Sequence, residues 1–290
     1  MDFPSLQAEL RRIASQVQTL AAIGAALRLR QQKKEADPAV QTRLDAVVEA
    51  AMPHGLDGLD AQQVSDTLAY VTLQIEDAAD LFHNIDRAPG WLFRDPAILQ
   101  AQGQGSRHNV RSIVALAADR PRLAASLAGR FLDVGTGVGA MALEAAERYP
   151  SVAVVGIDIW EPSLALARAN VRASPHAARI EIRAQDVTQL NEPAAYTLVW
   201  LPAPFLPRPA AEAALDRVTT ALAPSGHLVV GLYAVPTDRV GAALTALRVA
   251  RSGGHVWDIT GIEQQLRARG FVDVEAHIMP PTTFVIGRRV

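Results

Sequence analysis

The stretch Phe131-Leu132-Asp133-Val134-Gly135-Thr136-Gly137-Val138-Gly139-Ala140 decides how this chain is read. A short apolar run that suits a strand passes into a loop with glycine at every second position, and a helix-forming stretch follows. Glycines spaced in this way let backbone and ligand approach closely, at the N-terminus of the helix that comes next. The motif therefore predicts a ligand seated on a strand–loop–helix turn.

Which ligand is left open by the loop alone, because Gly135, Gly137 and Ala140 also satisfy the G-x-G-x-x-G/A fingerprint of dinucleotide sites. The neighbouring acids narrow the choice. Asp133 stands two residues before the first glycine, where its carboxylate repels a pyrophosphate and favours a cationic or zwitterionic group. Val154-Val155-Gly156-Ile157-Asp158 ends in an acid 19 residues after Gly139, and a carboxylate there accepts hydrogen bonds from both hydroxyls of a ribose. Ala184-Gln185-Asp186-Val187 places a third acid at the end of the next strand. Any one of these reads equally as a cap or a solvated loop residue. Three in order, at the edge where open α/β sheets bind ligands, read as one site.

Working outward, strand patterns at 130–134, 152–158, 180–184, 196–201 and 227–232 alternate with helical patterns at 141–148, 163–173 and 211–222. That alternation predicts a parallel sheet with helices on both faces. A helix at 261–269, a strand at 271–277, a turn at Pro280-Pro281 and a strand at 283–287 add a closing antiparallel hairpin. The fold class expected is α/β, with a mostly parallel seven-stranded sheet preceded by an all-α domain.

No strand pattern appears before residue 130. Leu6, Leu10, Ile13, Val17, Leu20, Gly24 and Leu27 alternate 4 and 3 spacing, which predicts a helix with a narrow apolar seam. Such a seam packs on the protein's own body or on a second copy, so a homodimer through the N-terminal helices is expected. A second helix is predicted over 38–51, and a third from near Asp60 with Val64, Leu68, Val71, Ile75, Ala79 and Phe82 on one face. After Ala88-Pro89-Gly90-Trp91-Leu92-Phe93-Arg94-Asp95-Pro96, the run Gln102-Gly103-Gln104-Gly105-Ser106 reads as a hinge. The expected division is a helical lid and dimerisation domain at 1–105 and a ligand-binding domain at 106–290, with the substrate between them.

Composition sets the bounds. A chain of 290 residues suits two domains, and 49% apolar against 20% charged residues describes a globular protein. With 28 basic and 30 acidic residues the net charge is −2, which lacks the electrostatic footprint of a nucleic-acid binder. The absence of cysteine excludes disulfides, thiolate nucleophiles and cysteine-ligated metals. Met1-Asp2-Phe3-Pro4 carries no basic region before an apolar block, so a soluble cytoplasmic protein with no membrane partner is expected.

From about residue 106 to 290 the sequence resembles the class I, Rossmann-like S-adenosylmethionine-dependent methyltransferases. The residues that carry the resemblance are the Asp133–Gly139 loop, Asp158, Asp186 and the run Leu222-Ala223-Pro224-Ser225-Gly226-His227-Leu228-Val229-Val230. The resemblance implies a methyltransferase using S-adenosylmethionine, with S-adenosylhomocysteine as product. It implies that Asp133, Gly135 and Gly137 line the methionine part, that Asp158 holds the ribose and Asp186 the adenine amino group. Ile159 and Val187 would enclose the adenine ring, and Leu201 would border the cofactor.

The run Val199-Trp200-Leu201-Pro202-Ala203-Pro204-Phe205-Leu206-Pro207 falls where members of the family place their substrate-facing motif. It is not the Asn-Pro-Pro-Tyr type that holds a planar amide or adenine nitrogen. It lacks the aspartate of magnesium-dependent catechol-type enzymes, and no cluster elsewhere has metal-ligand spacing, so no metal is expected. It also lacks the histidine that plant-type O-methyltransferases, which share a helical N-terminal domain, carry at this point. Candidate catalytic residues are His108, Tyr233 and His83, with His255 a further histidine to consider; Trp91, Phe93, Arg107, Pro202 and Phe205 are candidate walls of the acceptor pocket. The remaining histidines, His54, His176, His227 and His277, read as structural or solvated. The function expected is methyl transfer to carbon or oxygen of a small metabolite, aromatic or keto-acid-like. The alternatives are a nicotinamide-dependent oxidoreductase using the same loop and a non-catalytic dimeric protein that binds S-adenosylmethionine.

Overall fold

The computed structural model describes residues 2–290. The chain divides into two units, the first ending at Asp86 and the second spanning Arg87–Val290. The first holds α1 (Phe3–Gln32), α2 (Pro38–Ala51) and α3 (Ala61–His83). Each starts where an aspartate accepts a backbone N–H of the first turn: Asp2 from Ser5, Asp37 from Ala39 and Asp60 from Gln63. Only the later half of the α1 seam is covered: Ile23 and Leu27 pack with Val64 and Leu68, whereas Leu6, Leu10, Ile13 and Val17 are exposed.

The second unit contains α4 (Pro96–Ala117), α5 (Pro121–Leu127), β1 (Arg130–Val134), α6 (Ala140–Arg148), β2 (Ala153–Asp158), α7 (Glu161–Arg172), β3 (Ile180–Ala184) and β4 (Tyr196–Pro202). It continues with α8 (Arg208–Ala221), β5 (Leu222–Tyr233), α9 (Arg239–Arg251), α10 (Ile259–Ala268), β6 (Phe271–Met279) and β7 (Thr282–Arg289). Among the described residues the strands form one seven-stranded sheet in the order β3-β2-β1-β4-β5-β7-β6. β1 to β5 are parallel, and β7 runs antiparallel to both β5 and β6. Successive strand residues enter opposite cores: Phe131, Val154 and Leu198 one, Leu132, Val155 and Val199 the other. A sheet covered on both faces needs apolar residues at every position, which explains why these strands read as continuous apolar runs.

Two expectations need correction, and two helices went unread. The Gln102–Ser106 run is not a hinge; it lies inside α4, and the expected boundary after residue 105 falls within that helix. Asp95 caps α4 at the Ala97 N–H, Pro96 starts it, and Leu99, Val110, Ile113 and Ala117 are buried along it. That burial outweighs about 1 kcal/mol of helix propensity lost at each glycine. β5 begins at Leu222 rather than 227, because Leu222 already pairs with Tyr196 before a register shift brings His227 opposite Leu198. The two unread helices are α5, only seven residues long, and α9, which buries only Val249.

Candidate active site

The parallel strands β1, β2 and β4 end at one edge of the sheet, and the loop from Gly135 to Gly139 crosses it. Gly135, Gly137 and Gly139 all have φ in the left-handed region, at 66°, 56° and 78°, which is why the turn needs glycine at each place. A Cβ on Gly137 would meet nothing nearer than the Gly135 carbonyl oxygen at 4.0 Å, so this face of the loop is open to a ligand. Gly139 leads directly into α6 with no side-chain cap, and the Ala142 N–H of that helix's first turn is turned to the Asp133 carboxylate.

Behind the loop Asp133 is 1% exposed. Its Oδ2 accepts from the Thr136 hydroxyl at 2.7 Å. Burial, opposed by the Thr136 hydroxyl and the Ala142 backbone N–H and assisted by the nearby Asp158 charge, pushes its pKa up to about 7. Asp158, at the end of β2, accepts from the Gly137 N–H at 2.8 Å through Oδ2 and from the Trp160 N–H at 2.9 Å through Oδ1. Burial raises its pKa as well, against those backbone hydrogen bonds. Asp186 accepts the Thr188 N–H at 2.8 Å and opens a short 3₁₀ turn at the end of β3.

Neighbouring helices hold the loop in place. The Asn170 amide on α7 donates to the Val138 carbonyl at 2.9 Å and exchanges hydrogen bonds with Gln100 of α4, at 3.0 and 3.1 Å. Gly103 of α4 lies so close to Val138 that a Cβ there would run into Val138 Cγ2. These residues were missed from sequence, since a polar residue on a helix gives no sign of its partner; Gly103 was noticed but misread.

A second set of side chains lies where β4 and β5 end. Trp91 meets Phe93 and Phe205 edge to face, both with centroids 5.5 Å apart, and Phe205 meets Tyr233 at 5.9 Å. The structure thus brings together four of the residues singled out as catalytic or pocket candidates. Trp160, not singled out, links this set to the acids: its indole N–H donates to the Phe93 carbonyl at 2.8 Å.

Other candidates are placed differently. Ile159 is 74% exposed beside Asp158, but Val187 is 6% exposed and belongs to the core, so it offers little side-chain surface to an adenine ring. Leu201 is fully enclosed in the same core, and a ligand would meet only its backbone. Pro202 closes β4, and its ring lies 3.3 Å from where a Cβ on Gly135 would be. Arg107 is turned to α6, pairing with the buried Glu144 at 3.1 Å, so it braces helices rather than lining an acceptor pocket. His108 sits on α4 with Nδ1 at the Gly105 carbonyl and Nε2 3.1 Å from Thr282 Oγ1, and Thr282 in turn donates to Asn109. His83 is exposed at the end of α3 in the first unit, its ring edge to face with Phe82. His255 is half-buried with its ring against Trp257 at 4.8 Å. His227 is buried against the Ser126 hydroxyl, and burial lowers its pKa to about 4. Among the described residues no group of three or more acids or histidines is arranged to hold a metal ion.

Comparison with known proteins agrees with this geometry. Residues 131–226 match the profile of a methyltransferase domain. A ubiquinone/menaquinone biosynthesis C-methyltransferase of Geobacter sulfurreducens is 55% identical over 53 residues, 18% of this chain and 21% of that protein. A tRNA1(Val) (adenine(37)-N6)-methyltransferase of Porphyromonas gingivalis is 44% identical over 64 residues, 22% of this chain and 25% of that protein. The chain therefore spans about a fifth to a quarter of the length of these relatives. Among solved structures, an O-methyltransferase family protein from Burkholderia thailandensis superposes with a TM-score of 0.64 at 15% identity, over 97% of each chain. Human N-acetylserotonin methyltransferase in complex with S-adenosylmethionine superposes with a TM-score of 0.66 at 15% identity, over 100% of this chain and 98% of that one. At such identities the likeness is one of fold. Glycine loop, strand-end acids, sheet order and the matched profile agree: residues 131–226 match a methyltransferase domain, in a chain with the class I S-adenosylmethionine-dependent methyltransferase fold and an N-terminal helical unit.

Proposed function

We propose that this protein transfers the methyl group of S-adenosylmethionine to oxygen or carbon of a small metabolite with an aromatic or keto-acid-like skeleton. The observation that carries the cofactor assignment is the buried Asp133 carboxylate behind an open glycine loop, whose neighbouring donors, the Thr136 hydroxyl and the Ala142 N–H, are both uncharged. An ammonium group answers that carboxylate, whereas a pyrophosphate would add like charge next to two acids. Asp133, Gly135 and Gly137 would hold the methionine part, Asp158 the ribose, and Asp186 with Ile159 the adenine end. S-adenosylmethionine bound there supplies an electrophilic sulfonium methyl.

The chain's own residues then hold the acceptor and exclude water. Trp91, Phe93 and Phe205 present ring faces and edges suited to an aromatic acceptor, and Tyr233 adds a hydroxyl for a polar substituent. Holding acceptor and methyl in line supplies much of the acceleration, and a base is required only where the acceptor arrives protonated. We further infer that the exposed half of the α1 seam, Leu6, Leu10, Ile13 and Val17, pairs with a second copy.

Calorimetric titration with S-adenosylhomocysteine and, separately, with NADH tests the cofactor. Binding of the first and not the second is expected; the reverse would replace the proposal with an oxidoreductase. Incubation with methyl-labelled S-adenosylmethionine and a metabolite extract, followed by mass spectrometry, is expected to label one small aromatic or keto-acid product. S-adenosylhomocysteine binding with no label transferred to any metabolite would favour a non-catalytic binding protein.

A further inference from the structure

We propose that Trp160 is a positioning residue that makes the aromatic wall at 88–95 respond to occupancy of Asp158. The inference rests on Asp158 being the ribose-holding group. Trp160 is joined to both sides by different atoms. Its backbone N–H is held by Asp158 Oδ1 at 2.9 Å, and its indole N–H holds the Phe93 carbonyl at 2.8 Å. The Arg94 guanidinium lies over the same indole, 5.1 Å from the ring centroid.

Residues 88–95 have no helix or strand of their own, so a few anchors set their position. At one end the Gly90 N–H donates to the Arg251 carbonyl at 2.9 Å, and Arg87 Nη1 donates to the Gly90 and Arg251 carbonyls at 3.1 and 3.3 Å. At the other end stand Trp160 and the Asp95 cap that joins the segment to α4. Between the two, Trp91 carries the contact to Phe205, and Phe93 packs against the cluster of Leu99, Val138 and Ala140. The strap thus runs from the end of α9, past the ends of β5 and β4, to Trp160, two residues beyond β2.

Both oxygens of Asp158 already accept backbone N–H groups, from Gly137 and from Trp160. A ribose hydroxyl arriving at this carboxylate shares those oxygens, so the carboxylate, the loop and Trp160 settle together. The indole N–H carries the adjustment to Phe93 and hence to Trp91. A segment with few anchors and no regular structure opens locally at low free energy, which makes it the element that such a link can order. The consequence is a binding order in which the cofactor comes first and the acceptor finds a formed aromatic wall second.

Hydrogen–deuterium exchange of the full chain, with and without S-adenosylhomocysteine, tests this in wild type and in Trp160→Phe, which keeps a ring under Arg94 and loses the N–H. In wild type the ligand is expected to slow exchange in peptides covering both 135–139 and 90–95. In Trp160→Phe calorimetric affinity and protection at 135–139 are expected to persist, while protection at 90–95 falls about fivefold, the loss of one hydrogen bond. A purely structural role would instead raise exchange in both states alike. Equal ligand-induced protection of 90–95 in variant and wild type would overturn the proposal. So would a wild-type strap that the ligand leaves unchanged while the loop is protected, an outcome readable even without a folded variant. No ligand binding and no protection at 135–139 would overturn the S-adenosylmethionine reading itself, and the coupling with it.

Discussion

Asp133 shows how one side chain carries stability and function in opposite directions. Its pKa is pushed from the ordinary 3.8 up to about 7, first by burial. Between those values the folded chain holds a proton that the unfolded chain releases, so the group's contribution to stability is lost as pH rises from about 4 to 7. At about 1.4 kcal/mol per pH unit the penalty reaches at most about 4 kcal/mol at neutral pH and above. Asp133→Asn is therefore expected to raise the denaturation midpoint of the ligand-free protein at pH 8 and leave it little changed at pH 4. The same substitution is expected to weaken S-adenosylhomocysteine binding by about tenfold or more, since an amide no longer offers charge to an ammonium. A variant that binds as tightly as wild type would remove Asp133 from the site. Asp133 and Asp158 were legible from their places at strand ends. Val187 was named on the same logic, yet its side chain turns into the core. Position along a strand end predicts proximity, but which way a side chain points is decided by the turn that follows.

At the scale of elements, the loop is shaped by its glycines and held by the helices around it. Asn170 on α7 is expected to matter for binding although it lies 31 residues from Gly139 in sequence. Asn170→Ala removes the donor to the Val138 carbonyl, and a fall in S-adenosylhomocysteine affinity of about 3- to 10-fold, measured by calorimetry, corresponds to the hydrogen bond lost. Gly103→Val drives a branched side chain into Val138, and a loss of about 1–3 kcal/mol in chemical denaturation is expected from overpacking. A neutral result at Gly103 would mean that α4 is free to move away from the loop. From sequence the pair Gly103 and Gly105 read as a break between domains. A glycine within a helix and one within a hinge look alike along the chain, and only the neighbour across the interface distinguishes them. The helices of the first unit were clearer, α1 and α3 because their apolar positions recur at helical spacing.

For the whole molecule, the partly covered seam of α1 is the feature with a testable consequence. Ile23 and Leu27 are buried in their own unit, while Leu10 and Val17 stand exposed. If this half pairs with a second copy, sedimentation velocity gives a dimer for wild type, and the double substitution Leu10→Glu with Val17→Glu gives a monomer. A wild-type monomer at micromolar concentration would end that reading. The linear order of strands, glycine loop and acids was enough to determine a mostly parallel α/β sheet with an antiparallel end and a cofactor edge. Those features follow from periodicity and from backbone conformations that glycine alone adopts readily, both of which are local properties of the chain. Tertiary structure alone decided that the apparent hinge is a helix against the loop, that Arg107 braces Glu144, and that Trp160 stands between acids and aromatic wall. Each of these depends on a partner far away in sequence, and side-chain chemistry at one position does not name its partner until the fold brings the two together.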